Sequence, residues 1–239
     1  MKDILLTEWF KLRKSKIISI ILIGPVIGLI TGINTPLKFK VNSWEFVNLY
    51  MIVTYALLFL PLITSVLTGF ICRYEHQAGG WKQLLALPVS RGQVFTAKYV
   101  VVILLVMVIQ LLFLCSLIVV GIIRGFSDPF PYEMVWKSII GGWFATLPLV
   151  ALQLWLSILF NNFAAPFAIN AMLTLPSILI INSERFSPYY LWVQPFLMMY
   201  SAGDKNNDFI VLGDQLMIII LGSLIFLIGG YLYFQRKNI

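Results

Sequence analysis

Apolar positions in this chain come in long unbroken runs, without the alternation of a half-buried strand or the polar face of a soluble helix. Six runs, near residues 17–33, 46–72, 94–123, 134–160, 164–181 and 215–234, are long enough to cross about 30 Å of hydrocarbon at 1.5 Å per helical residue. With no period-2 pattern in them, they predict helices and exclude a barrel, since helices and closed barrels alone satisfy their backbone in lipid. The expectation is an all-α polytopic membrane protein, one transmembrane domain over residues 1–239 with six transmembrane helices. Three segments stand outside the runs, at 1–16, 73–93 and 182–213. No internal repeat or linker divides the chain.

Composition agrees with this reading. Apolar residues make up 60% of 239 positions and charged residues 11%, too few charges to coat a soluble surface. The net charge of +7 is a matter of topology and does not imply nucleic acid. Eleven lysines and arginines fall in segments 1–16 and 73–98 and after residue 235, against Asp3, Glu8 and Glu75, whereas the opposite side carries slightly more acids than bases. By the positive-inside rule both termini are cytoplasmic in the cell membrane. The two cysteines, Cys72 and Cys115, lie in apolar runs and form no disulfide framework.

The runs contain no Asp, Glu, Lys, Arg or His between residues 17 and 37, 46 and 72, 99 and 123, 138 and 183, or 215 and 235. A proton relay at membrane depth needs such groups, and hydrolysis needs a nucleophile with a base or metal ligands. The sole histidine, His76, has no ligand partner at useful spacing, and no Gly-x-x-x-x-Gly-Lys-Ser/Thr loop is present. No catalytic, cofactor-binding or metal residue is therefore expected, and any driving energy comes from another polypeptide. Thr64, Ser65, Thr68, Gln110, Gln153, Ser157 and Asn170 suit helix packing or the lining of a path equally well.

Three features point to function. In segment 1–16, Ile4, Leu5, Trp9 and Leu12 share one helical stripe opposite Glu8, Lys11 and Lys14, the pattern of an amphipathic helix in the headgroup plane. In segment 73–93, a short helix is expected between Gly79–Gly80 and Pro88, and its large apolar groups Trp81, Leu84, Leu85 and Leu87 fit either the bilayer or a soluble partner. Segment 182–213 is unusually apolar, from Tyr189 to Tyr200, which suits a re-entrant or interfacial element. Gly24, Gly28 and Gly32 form a ridge that lets another helix, of this chain or a second copy, approach closely.

Residues 9–16, Trp-Phe-Lys-Leu-Arg-Lys-Ser-Lys, and Glu75 with Gly80-Trp-Lys-Gln-Leu-Leu-Ala-Leu-Pro-Val-Ser-Arg91 ahead of Lys98, resemble the ABC-2 type permeases, closest to the short permease subunits of lantibiotic-immunity and bacitracin-resistance exporters. The resemblance implies an elbow helix at 1–16, and a coupling loop against an ABC ATPase through Glu75, Gly80, Trp81, Lys82, Leu84, Leu85, Leu87 and Pro88. It also implies an outer re-entrant gate bearing Tyr189, Tyr190, Trp192 and Phe196. Pairing of permeases through the first and fifth spans would place Gly24, Gly28, Gly32, Ala164, Ala168 and Ala171 at a dimer interface. The expected assembly has two ATPase copies, which carry the ATP and Mg, and a second permease, identical or related. Its cargo would be an amphipathic antimicrobial peptide or lipid-linked antibiotic, taken from membrane lipid or the cytoplasm. The alternative is a non-transporting scaffold or sensor subunit with the same spans.

Overall fold

A computed structural model of the protein describes residues 2–13, 17–36, 42–77, 80–86, 88–201 and 209–237. These residues are overwhelmingly helical, with no strand among those described. In chain order the helices are α1 (Lys2–Arg13), α2 (Ile17–Asn34), α3 (Ser43–Thr54), α4 (Leu60–His76), α5 (Gly80–Leu85) and α6 (Arg91–Arg124). They continue as α7 (Tyr132–Ala145), α8 (Leu147–Leu159), α9 (Ala164–Thr174), α10 (Ser177–Ile180), α11 (Gln194–Ser201) and α12 (Phe209–Arg236).

Among the described residues four stretches are long and apolar enough to cross a membrane, namely Ser43–His76, Arg91–Arg124, Tyr132–Leu159 and Gly213–Arg236. The apolar helices Ser19–Asn34 and Ala164–Ile180 are shorter. Prolines account for the internal breaks. Pro61 has no N–H for the carbonyl four residues back, and just before it the Ser43–His76 stretch widens into a π-helical turn, Tyr55–Phe59, closed by the Leu60 N–H on the Tyr55 carbonyl. Pro148 likewise separates α7 from α8, where the Thr146 hydroxyl donates to the Trp143 carbonyl at 2.7 Å. Pro176 parts α9 from α10.

Helix α6 is the axis of the bundle. Its start is fixed by a capping box between Ser90 and Gln93 and its end by Gly125, at φ 64, where a residue without Cβ enters the left-handed region. Helices α1, α2, α4, α7, α8 and α12 all pack against it. Its closest neighbour α2 presents Gly24, Gly28 and Gly32 inward: a Cβ at these positions would lie 2.8 Å from the Tyr55 ring, 3.1 Å from the Phe113 ring and 2.9 Å from both Met51 and Val120. Of the two approaches the ridge allows, by this chain or a second copy, the one within the chain is made here. The space left by the glycines is filled by large side chains of α3, the π turn and α6 from the same chain. Tyr55, fully buried, stacks on Phe113 at 4.3 Å and donates to Gln110 Oε1 at 3.3 Å.

At the end where α6 stops, Arg124 donates to the carbonyls of Gly32 and Thr35 at 2.9 and 2.6 Å. Trp44 lies where Gly121 has no side chain, and its indole N–H donates to the Asp128 carbonyl at 3.0 Å. The Asp128 carboxylate accepts the Ser43 N–H at 2.8 Å, and hydrogen bonding from Ser43 holds its pKa below the ordinary aspartate range.

Candidate functional site

The opposite end of the bundle collects the charged residues. Lys98, on the second turn of α6, is fully buried. Its Nζ lies 2.9 Å from Glu8 Oε2, 2.9 Å from Glu75 Oε1 and 3.0 Å from the Ile71 carbonyl. Lys11 Nζ closes the group from α1, 3.0 Å from Glu8 Oε1 and 2.8 Å from Glu75 Oε1. Both carboxylates are 2% exposed. Two acids and two bases thus form a neutral buried cluster joining α1, α4 and α6. Such a cluster is costly to desolvate but expensive to break, because removing one member strands a buried charge. Glu75 Oε2 is buried without a hydrogen-bond partner among the described residues.

Trp81 of α5 lies over this cluster and is buried, with Lys98 Nζ 5.8 Å from the centre of its ring. Its indole N–H donates to His76 Nδ1 at 3.3 Å, and His76 Nε2 lies 2.7 Å from the Ser157 carbonyl. An indole only donates. His76 Nδ1 therefore accepts, Nε2 carries the proton to Ser157, and the imidazole is a neutral strut between α5 and α8. Phe234 of α12 packs on Trp81, ring centres 5.1 Å apart. Arg91 donates to the carbonyls of Phe234, Gln235 and Lys237 at 3.2, 2.9 and 2.7 Å and so caps α12. Lys237 in turn donates to the Ile158 carbonyl at the end of α8, and burial holds its pKa below the usual lysine value.

This close turn depends on Gly80. A Cβ there would stand 2.7 Å from the Tyr74 carbonyl oxygen and 2.8 Å from Glu75 Cα. Backbone does not yield as a flexible side chain would, so α5 can fold back on the end of α4 only with glycine at its start. Chemically, the site can fasten and transmit. Among the described residues no group of three or more His, Cys, Asp or Glu could hold a metal.

The sequence matches the family described as ABC-2 family transporter protein over residues 4–177, well over half of the chain. The chain belongs to the ABC-2 family of transporter proteins. As a permease of that family it is a multi-pass membrane component of an ABC transporter and works with a separate ABC ATPase subunit. A comparison with curated proteins finds no match.

In this ABC-2 permease the residues expected on the coupling loop separate into two sets. Glu75, Gly80 and Trp81 belong to the buried junction. The Trp81 ring, expected among the apolar anchors of the loop, is taken up by Phe234, His76 and Lys98. Lys82 and Pro88 are exposed, and Leu84 is half-buried against the core. Leu87 lies outside the described residues, as does the side chain of Leu85. On α9, Ala164 and Ala168 are exposed and Ala171 is half-buried.

The apolar segment 189–200 folds back into the bundle, with α11 lying along α7. Trp192 and Phe196 are buried there, Tyr190 is half-buried and Tyr189 is exposed. The Trp192 indole donates to Asn170 Oδ1 at 2.8 Å, while Asn170 Nδ2 donates to the Pro61 carbonyl at 2.7 Å. One asparagine thus pins α9 to both the outer segment and the proline turn of α4.

The pairing of Glu8 and Glu75 with Lys11 and Lys98 escaped sequence reading, as did the struts of His76 and Arg91. One signal was present. Lys98 directly precedes a charge-free stretch that begins at Tyr99, and a cation at that depth needs a counterion.

Proposed function

We propose that this permease is the membrane half of an ATP-driven exporter and that its α5 end is the face through which ATPase movement enters the bundle. The observation that carries the reading is the Glu8–Lys11–Glu75–Lys98 cluster beneath Trp81. A push on α5 reaches α4 through Gly80 and Glu75, α6 through Lys98, α1 through Glu8, α8 through His76 and α12 through Phe234. Buried groups held at several points move together, since their separation would expose unpaired charge.

The working unit in this reading has two permeases, identical or related, and two ATPases. All six apolar runs span the membrane, α1 lies in the headgroup plane as an elbow, and both termini are cytoplasmic. The outward side chains Lys82 and Gln83 meet the ATPase. Ala164 and Ala168 on the open face of α9 offer a contact for the second permease. Residues 189–200 cover the outer end as a gate. Cargo is an amphipathic antimicrobial peptide or lipid-linked antibiotic, which an immunity or resistance exporter removes. Support for the cargo class comes from the loop and elbow motifs alone.

The test is co-purification with an ATPase followed by hydrolysis assays in liposomes. Hydrolysis that rises when a cationic amphipathic peptide is added supports the exporter. A stable complex whose hydrolysis ignores such peptides and lipid-linked antibiotics supports a scaffold or sensor instead.

A further inference from the structure

A cavity of about 460 Å³ opens beside the coupling end, between the last turns of α4 and the loop that leads into α9. Its walls form two tiers. The deeper tier is apolar, with Phe70 meeting Phe163 edge-on at 5.7 Å and Pro166 beside them. Gly69 makes the floor: a Cβ there would lie 2.6 Å from two atoms of the Phe163 ring, so glycine lets the edge of that ring approach α4. One helical turn further along α4, the rim is polar, with Arg73 and Gln77 facing Asn161 and Asn162.

No acid lines this rim, and Arg73 forms no ion pair among the described residues. The nearby carboxylates of Glu8 and Glu75 are engaged by Lys98 and Lys11. The guanidinium rests 5.8 Å from the Phe70 ring centre. Asn162 Oδ1 accepts the Ala165 N–H at 2.9 Å, which orients the amide and leaves both of its N–H groups for a ligand. The rim thus carries amides that can donate and one positive charge without an ion-pair partner among the described residues. Its complement is an anion with several acceptor oxygens, and an arginine fork matches phosphate oxygens in pairs. Directly below the charge lies aromatic surface suited to an acyl chain.

We propose that this cavity binds the phosphate of a membrane glycerophospholipid, with Arg73 as its principal ligand and the Phe70–Phe163 tier holding the start of a chain. Basic pockets between helices at a membrane surface take lipid headgroups by the same chemistry. The inference rests on the reading above only in placing the α5 end at a membrane surface.

Native mass spectrometry of the full chain in detergent tests it without an ATPase or cargo, so its failure is separable from that of the exporter reading. The probes are phosphatidylglycerol, a diacylglycerol of the same chains, and inorganic phosphate. Wild-type protein should retain phosphatidylglycerol and not diacylglycerol. Arg73→Gln should weaken retention about tenfold or more, the scale of a lost charge-assisted hydrogen bond. Asn161→Asp, which places an acid on the rim, should weaken it too, whereas Arg236→Gln, at another exposed cation, should leave it unchanged. Inorganic phosphate that fails to displace the lipid assigns the site to lipid. Phosphate that binds alone with the same Arg73 dependence and displaces the lipid assigns it to a soluble phosphate and overturns the lipid proposal. Equal retention by Arg73→Gln and wild type overturns the site itself.

Discussion

Replacing Lys98 by Met keeps the length of the side chain and removes its charge. Glu8 and Glu75, each 2% exposed, then share only Lys11, which is 28% exposed and already bonded to both. The buried group changes from neutral to a net negative charge. Stranding one member of a buried ion cluster costs about 3–5 kcal/mol. Because Lys11 remains within reach of both carboxylates, the lower end applies, about 3 kcal/mol. For a chain of this size that corresponds to a fall of about 6–12 °C in Tm. Thermal unfolding of purified protein in one detergent, followed by tryptophan fluorescence, measures it. A cycle with Glu8→Gln separates pairing from packing: the two substitutions should couple by more than about 1 kcal/mol, and Glu8→Gln should restore part of what Lys98→Met loses. An unchanged Tm in Lys98→Met, or strictly additive effects, would refute a neutral buried cluster.

Other outcomes follow from the same geometry. Gly80→Ala should cost about 1–3 kcal/mol and loosen α5, read as faster proteolysis of the loop, because its Cβ meets backbone. Gly28→Leu should lower Tm and yield of the protomer by displacing the Phe113 ring, and loss of dimer cross-linking with an intact protomer would contradict that packing. The double substitution Lys82→Glu with Gln83→Glu alters only exposed positions and should leave Tm within about 0.5 kcal/mol of wild type, while lowering ATPase capture about tenfold in pull-downs. A cysteine at Tyr189, 74% exposed, should react with an impermeant maleimide added outside intact cells, whereas one at Trp192, 6% exposed, should not.

The helical class and the apolar runs were legible because lipid forces a single answer on an unbroken apolar segment. What broke the runs was less legible. Pro61, Pro148 and Pro176 are visible in the sequence, but whether a proline bends, widens or ends a helix depends on neighbours that accept or fill the freed backbone. The ridge of Gly24, Gly28 and Gly32 was legible as a close-approach surface. Which helix approaches was not, since Tyr55, Met51, Phe113 and Val120 are brought there by tertiary packing. Glu75, Gly80 and Trp81 were legible by motif, whereas their setting was not. Glu8 and Lys98 lie 90 positions apart, and charge counting along the chain assigned both to one side without pairing them. Trp81 likewise looked like a free anchor because Phe234 lies at the far end of the sequence.

The claim that the buried cluster carries ATPase movement into the bundle is tested most directly by distance measurement across the far end of the molecule. Spin labels at Ile122 and Tyr189, 73% and 74% exposed, are placed in protein whose exposed Cys115 is replaced by serine, and the permease is assembled with its ATPase. Double electron–electron resonance then compares the nucleotide-free complex with one trapped by ATP and vanadate. The expected result is a shifted distance distribution upon trapping in the otherwise wild-type chain and no shift in Lys98→Met, with the ATPase bound in both. The same shift in Lys98→Met would show that movement reaches the outer end by another route and would contradict the account.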